Sequence, residues 1–87
     1  MLQHNKEKRR FEWTEKETTS FIAYHIKDSK FILHHSEVPP AHRGKGIGKK
    51  MVESTYEYLE SNEIAAHATC SFIRLVGSRN PRWKQFI

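Results

Sequence analysis

Eighty-seven residues bound this chain to one domain, near the lower limit for folding without disulfides or metal. A single cysteine excludes an internal disulfide and fits a reducing, intracellular setting, and no apolar run approaches the ~20 residues of a membrane-spanning helix. The formal charge of +5 admits a nucleic-acid partner, a small polyanionic ligand or a merely solvated surface, and does not choose among them.

Met1 to Arg10 is polar and charged, without the apolar stretch of a secretory signal. Residues 1–8 read as an unstructured lead, and a cytoplasmic location is expected. Phe11-Glu12-Trp13 alternates and predicts a first strand. Thr18 to Lys27 alternates more clearly, with Phe21, Ala23 and His25 on one side and Ile22, Tyr24 and Ile26 on the other. Asp28-Ser29 is the expected tight turn, and Lys30 to Val38 the returning strand. A two-residue turn sets Ile26 opposite Phe31 and Tyr24 opposite Leu33, one apolar face of an antiparallel meander.

Pro39-Pro40 ends that strand, since neither residue can donate to a ladder. From Gly46 to Ser61 the period becomes helical, with Ile47, Met51, Val52, Thr55, Tyr58 and Leu59 on one stripe. Lys49, Lys50, Glu53, Glu57 and Glu60 line the other. Ile64 to Cys70 predicts a short apolar strand, parallel to the one ending near Val38 because a helix joins them. Ser71 is the expected N-cap of a last helix through Arg79, which Asn80-Pro81 stops. Trp83 and Phe86 are expected to fold back as apolar anchors. The predicted class is α/β (α+β): three antiparallel strands, then helix, parallel strand and helix, in a single domain over residues 1–87.

Between the prolines and the first helix lies Arg43-Gly44-Lys45-Gly46-Ile47-Gly48. Glycines at alternate positions let the backbone approach a ligand closely, and a helix beginning there turns unpaired N–H groups toward an anion. Arg43, Lys45, Lys49 and Lys50 add positive charge, so the segment reads as a pyrophosphate cradle. A Walker A loop does not fit, because Lys49 stands five after Gly44, where a glycine is required. A dinucleotide fingerprint does not fit either, since its third glycine comes one residue early and no acidic residue follows at the required spacing. Arg-x-x-Gly-x-Gly does fit, spelled by Arg43, Gly46 and Gly48. With Ser36-Glu37-Val38-Pro39 upstream and Cys70-Ser71-Phe72 downstream, it resembles the acetyl-CoA signature of the GNAT superfamily of N-acetyltransferases, in its minimal single-domain branch. The resemblance covers about residues 20 to 84.

That resemblance implies a minimal GNAT-like fold with acetyl-CoA (coenzyme A) as co-substrate and no metal. The acyl group passes to an amine acceptor, small molecule or protein, by direct attack on the thioester. The pantetheine arm runs between the third and fourth strands where they splay, and strand amides freed by the splay hold the oxyanion. Glu37 is the implied proton acceptor for the amine, against the plainer role of a strand-end carboxylate bonded locally. Cys70 is open to three roles: nucleophile, acid for the departing thiolate, or packing residue. Its place before a helix predicts a lowered pKa. Many GNAT enzymes use a tyrosine on the last helix as the acid, and here none follows Tyr58. His35 is expected either to line the acceptor pocket or to be a hydrogen-bonded core residue.

Arg43 and the amides of Gly44, Gly46, Ile47 and Gly48 are the implied phosphate contacts, with Lys45 and Lys49 adding field. Val38, Cys70, Ser71, Phe72 and Arg74 complete the implied cofactor site. His34 and His35, adjacent on a strand, are expected to point to opposite faces and so not to share an ion. The helical stretch that usually encloses an acceptor is missing, so the acceptor must be read by an open surface, a partner or an oligomer contact. A monomer or weak homodimer is expected, with no membrane association. Two other readings stay open: a non-catalytic acyl-CoA-binding module, and a small nucleic-acid-binding sheet with Phe11, Trp13 and Tyr24 as stacking residues.

Overall fold

Two-residue turns organise the first half of the chain in the computed structural model, which describes residues 1–87. Lys16 and Glu17 (φ 49° and 64°) and Asp28 and Ser29 (φ 51° and 64°) all take left-handed backbone, the form that matches the twist of a tight hairpin. The first pair joins β2 (Arg10–Glu15) to β3 (Thr18–Lys27), and the second joins β3 to β4 (Lys30–Glu37). The register after Asp28-Ser29 is the expected one, with Ile26 opposite Phe31 and Tyr24 opposite Leu33.

The sheet has five strands in the order β1-β2-β3-β4-β5. β1 (Leu2–Asn5) pairs antiparallel with β2, so the antiparallel part has four strands instead of three and the start of the chain is not an unstructured lead. β1 carries one apolar residue, Leu2, and the group it turns inward beside it is His4. The imidazole stacks on Phe11 at 4.3 Å and bonds to the hydroxyls of Tyr24 (2.7 Å) and Tyr58 (3.2 Å). A polar residue thus does the fastening that an apolar one performs elsewhere in the sheet.

After a 3₁₀ turn at Pro40–His42, α1 (Ile47–Ser61) crosses over the sheet and returns to β5 (Ala66–Ala68), which runs parallel to β4. α2 (Ser71–Ser78) and a 3₁₀ segment, Pro81–Phe86, complete the chain. α1 buries Ile47, Met51, Val52, Thr55, Tyr56 and Leu59. Tyr56, not Tyr58, belongs to the core stripe; Tyr58 sits at its margin in the His4 cluster. Met51, Val52, Tyr56 and Leu59 are wholly inaccessible, each worth on the order of 1.5–3 kcal/mol relative to exposure.

The inner face of the sheet supplies Phe11, Ile22, Tyr24 and Leu33 to the same core, while α2 adds Ile73 and Val76. Tyr56 ties these layers together. Its hydroxyl donates to the Ile73 carbonyl at 2.6 Å, and its ring stacks on Trp83 (5.1 Å) and Phe86 (5.6 Å). Burial pushes its phenol up to about 12. Trp83 and Phe86 therefore fold back as their apolar character predicts, and Asn80 caps their segment by accepting from the Arg82 N–H.

Candidate functional site

The glycine loop is built by two left-handed residues. Gly44 and Gly46 have φ of +75° and +74°, conformations that cost other residues ~1–2 kcal/mol, and a Cβ at either would meet nothing within 4 Å. Their requirement is conformational, not the close approach of another group of the chain. Gly48 differs: a Cβ there would lie 3.1 Å from Val38 Cγ2 and 3.4 Å from Phe72 Cζ. Gly46 is the N-cap of α1, has no side chain to offer, and no acidic residue follows in the first turn. The first main-chain bond of the helix runs from Lys50 N–H to the Gly46 carbonyl, so the N–H groups of Ile47, Gly48 and Lys49 are left without partners.

Beside these amides lies a cleft of ≈ 490 Å³ lined by Ser36, Val38, Arg43, Gly44, Gly46, Gly48, Lys49 and Phe72. Arg43 Nε donates to the Val38 carbonyl at 2.9 Å, which ties the loop to the end of β4. Deeper support comes from His42, which is buried. Its Nδ1 lies 2.7 Å from Ser20 Oγ and its Nε2 3.3 Å from the Glu15 carbonyl, so the 3₁₀ turn is pinned to the β2–β3 hairpin. Neither His42 nor Ser20 stands out in the sequence. No local pattern announces a bond made across 22 residues.

β4 and β5 separate beside this cleft. Their ladder ends at Leu33 and Ala68, and the Leu33 carbonyl then accepts from both Thr69 N–H (3.0 Å) and Cys70 N–H (3.2 Å). β4 continues to Glu37 while the other chain turns into α2. On its other side β4 carries a bulge: Tyr24 pairs with Leu33 but Ala23 with His35, so His34 is the extra residue. The bulge overturns the expected opposition of His34 and His35. The His34 ring lies 5.1 Å from His25 and the His35 ring 6.0 Å from Phe21, both on the sheet face away from the helices. No group of three or more His, Cys, Asp or Glu side chains could hold a metal ion.

The same shift decides which face each candidate catalytic residue takes. Ser36 turns inward, its Oγ 3.5 Å from Cys70 Sγ. Glu37 and His35 turn outward, exposed, with His35 Nε2 3.5 Å from Glu37 Oε1. Cys70, not Ser71, is the N-cap of α2. Burial pushes the Cys70 thiol up, but hydrogen bonds from the Ile73 N–H, the Ser36 hydroxyl, and the Phe72 and Ser36 N–H groups outweigh it and hold the thiol below its ordinary value. Ser36 lines the cleft and touches the thiol, although in the sequence it stands out only as part of a motif.

Other expected contacts fall elsewhere. Arg74 Nη1 donates to the Ala68 carbonyl at 2.9 Å, and Arg74 and Ser71 line a separate groove with Leu75 and Ile87, away from the glycine loop. Lys45 is exposed on the loop without lining the cleft, and the Ile47 side chain is in the interior, leaving only its amide for a ligand. Of the three residues named for base stacking, Phe11 is inaccessible and Tyr24 is 4% exposed, both on the covered face, while Trp13 is half-buried.

A mixed sheet with a parallel splay, a glycine loop feeding a helix and a cleft at their junction make up a GNAT-like fold. Residues 10–86 match the GCN5-related N-acetyl-transferase family. The chain belongs to that family, which typically uses acetyl-CoA as donor. It is similar to proteins named NATD1: 37% identical to those of Bos taurus and Homo sapiens over 56% of this chain and 43% of theirs, and 28% identical to that of Danio rerio over 92% of this chain and 76% of its relative. The stretch shared with the mammalian relatives thus spans less than half their length. No helix is long and apolar enough to cross a membrane.

Proposed function

We propose that this chain binds acetyl-CoA at the glycine loop and transfers its acetyl group to an amine. The observation that carries the reading is the uncapped start of α1: three partnerless N–H groups, two of them on Gly48 and Lys49, which line a cleft edged by Arg43. Unpaired amides with the positive end of a helix dipole favour a diphosphate, and the adjoining splay offers a channel for an extended arm. Val38 and Phe72, which crowd Gly48, form the apolar wall that such an arm would follow.

In the transfer, the amine nitrogen bonds to the thioester carbonyl carbon and the C–S bond breaks, releasing the coenzyme thiolate. The amine gives up its proton to Glu37 directly, to His35 beside it, or through water. Both groups lie on the open face of β4, opposite Ser36 and Cys70, so acceptor and donor would approach the strand edge from different sides. Free backbone N–H groups near the splay would hold the oxyanion, at ~3 kcal/mol per well-aimed donor.

A second route is favoured by the hydrogen bonds on Cys70. They stabilise its thiolate, which suits a nucleophile and counts against an acid. In this route Cys70 Sγ takes the acetyl group from the coenzyme, then surrenders it to the amine. Incubation with acetyl-CoA followed by intact-mass and peptide analysis of Cys70, alongside turnover of Cys70→Ala, separates the routes. Direct attack predicts no acetyl-cysteine and a variant that keeps most of its turnover; the covalent route predicts the adduct and loss of turnover. Tight acetyl-CoA binding with neither transfer nor adduct would make the protein a binding module.

A further inference from the structure

We propose that a second cleft, at the far end of α1 from the glycine loop, is a binding site for a small aromatic carboxylate. The cleft encloses ≈ 430 Å³, within the size range of small-molecule sites. It lies among β1, β3, the start of β4 and the last turn of α1, about 20 Å of helix away from Gly46. Its lining has two kinds of chemistry. Ile26, Phe31 and Ile64 are apolar, and Ile26 is 47% exposed, one of few large apolar side chains left open on the molecule. Lys6 and Arg9 bring two positive charges, with no carboxylate in the lining to neutralise them.

The third element is a donor that the chain itself does not use. His4 bonds through Nε2 to Tyr24 Oη and through Nδ1 to Tyr58 Oη. A neutral imidazole has one N–H and one lone pair, so it donates to one phenol and accepts from the other. The phenol that accepts keeps its own O–H, and neither tyrosine hydroxyl has another partner in the chain. Whichever tautomer holds, one phenolic O–H remains for an outside acceptor. Burial, then the charge of Lys6, lowers the His4 pKa and keeps the ring neutral.

The site is rigid. Tyr24 is stacked on Phe31 at 4.1 Å and 8°, and His4 on Phe11 at 4.3 Å and 17°. The helix end nearby carries only about half a negative charge, against two cations. Its Tyr58 carbonyl is already capped by the Asn62 side-chain N–H at 2.9 Å. An anionic head between Lys6, Arg9 and a phenol, with a flat apolar body against Phe31 and Ile26, satisfies all three elements. A bare inorganic anion leaves the apolar wall unused, and a neutral ring leaves the cations unused.

The test is an amide-shift titration of the isotope-labelled full chain with benzoate, benzyl alcohol and inorganic phosphate in parallel. Benzoate should saturate at millimolar levels or below, with shifts at residues 4–9, 24–26 and 58–64. Benzyl alcohol and phosphate should each bind about tenfold more weakly, and Lys6→Ala with Arg9→Ala should lower benzoate affinity about tenfold without altering the melting temperature. Benzoate that fails to saturate by ~20 mM overturns the proposal. So does phosphate or benzyl alcohol binding as well as benzoate, or benzoate shifts confined to Gly44–Lys49.

Discussion

Two glycines in helices show how the same residue serves opposite ends. At Gly48, an added methyl meets Val38 at 3.1 Å, a contact that a small side-chain movement relieves, and alanine also gains helix propensity. Gly48→Ala should therefore change stability by less than about 1 kcal/mol while narrowing the cleft wall and weakening acetyl-CoA binding several-fold. Paired thermal melts and calorimetric titration check this; a variant with unchanged affinity would place the ligand elsewhere. At Gly77 the methyl would lie 2.6 Å from Tyr56 Oη and 3.0 Å from Ile87, inside the core, where nothing can yield cheaply. Gly77→Ala should cost ~1–3 kcal/mol despite its better propensity, and Tyr56→Phe should recover part of that cost. Urea unfolding of the single and double variants measures the coupling. Additive losses would mean that the hydroxyl is not the obstruction.

Elements were legible in the sequence to the degree that their signals were local. The β3–β4 hairpin follows from alternation on both sides of Asp28-Ser29, and its register is recovered residue for residue up to Tyr24 and Leu33. Beyond that point the His34 bulge breaks the alternation, and no glycine or proline marks it. Glu37 and His35 thereby come to the open face while Ser36 meets Cys70, the reverse of the faces that a regular strand would have given them. β1 was hidden for a different reason: its inward group is a histidine whose partners lie 20 and 54 residues away. α1 was visible as a helix, yet Tyr56 and Tyr58 exchanged roles because both border its apolar stripe.

Two histidines give the molecule a pH dependence, His4 on the buried side of β1 and His34 on the outer face of β4. His4 is lowered by burial and then by Lys6, and His34 by burial and then by its histidine neighbours His25 and His35. Groups whose folded pKa lies below the unfolded value take up protons first in the unfolded chain. Their contribution to stability is complete above about pH 6.5 and is lost as pH falls through that value toward the folded one. Urea midpoints should drop from about pH 7.5 to about pH 5.5, and His4→Gln should shrink the drop while His34 retains its share. An equal drop in the variant would remove His4 as a cause.

At the scale of the whole molecule, one face of the sheet carries the core and both helices, and the other is open. The glycine loop, the splay and Cys70 lie at one end of α1, and the histidine–tyrosine cluster lies at the other. The position of the cleft was readable because glycines, prolines and the helix start adjoin in sequence. Its depth was not, since Ser36, His42 and Ser20 act through bonds between distant strands. A chain of +5 charge presents Arg43 and Lys49 at the cleft but also Lys6 and Arg9 at the far end, so net charge alone identifies neither.

On the proposed reading, partnerless amides at the start of α1 hold the diphosphate of acetyl-CoA. Amide-shift titration of the labelled protein with acetyl-CoA tests it most directly. Saturable changes are expected at Gly44 to Lys49 and around Ser36 and Cys70, with Arg43→Ala weakening them about tenfold. Spectra that stay unmoved in those segments up to ~5 mM ligand, or that move only at the basic ends, would contradict it.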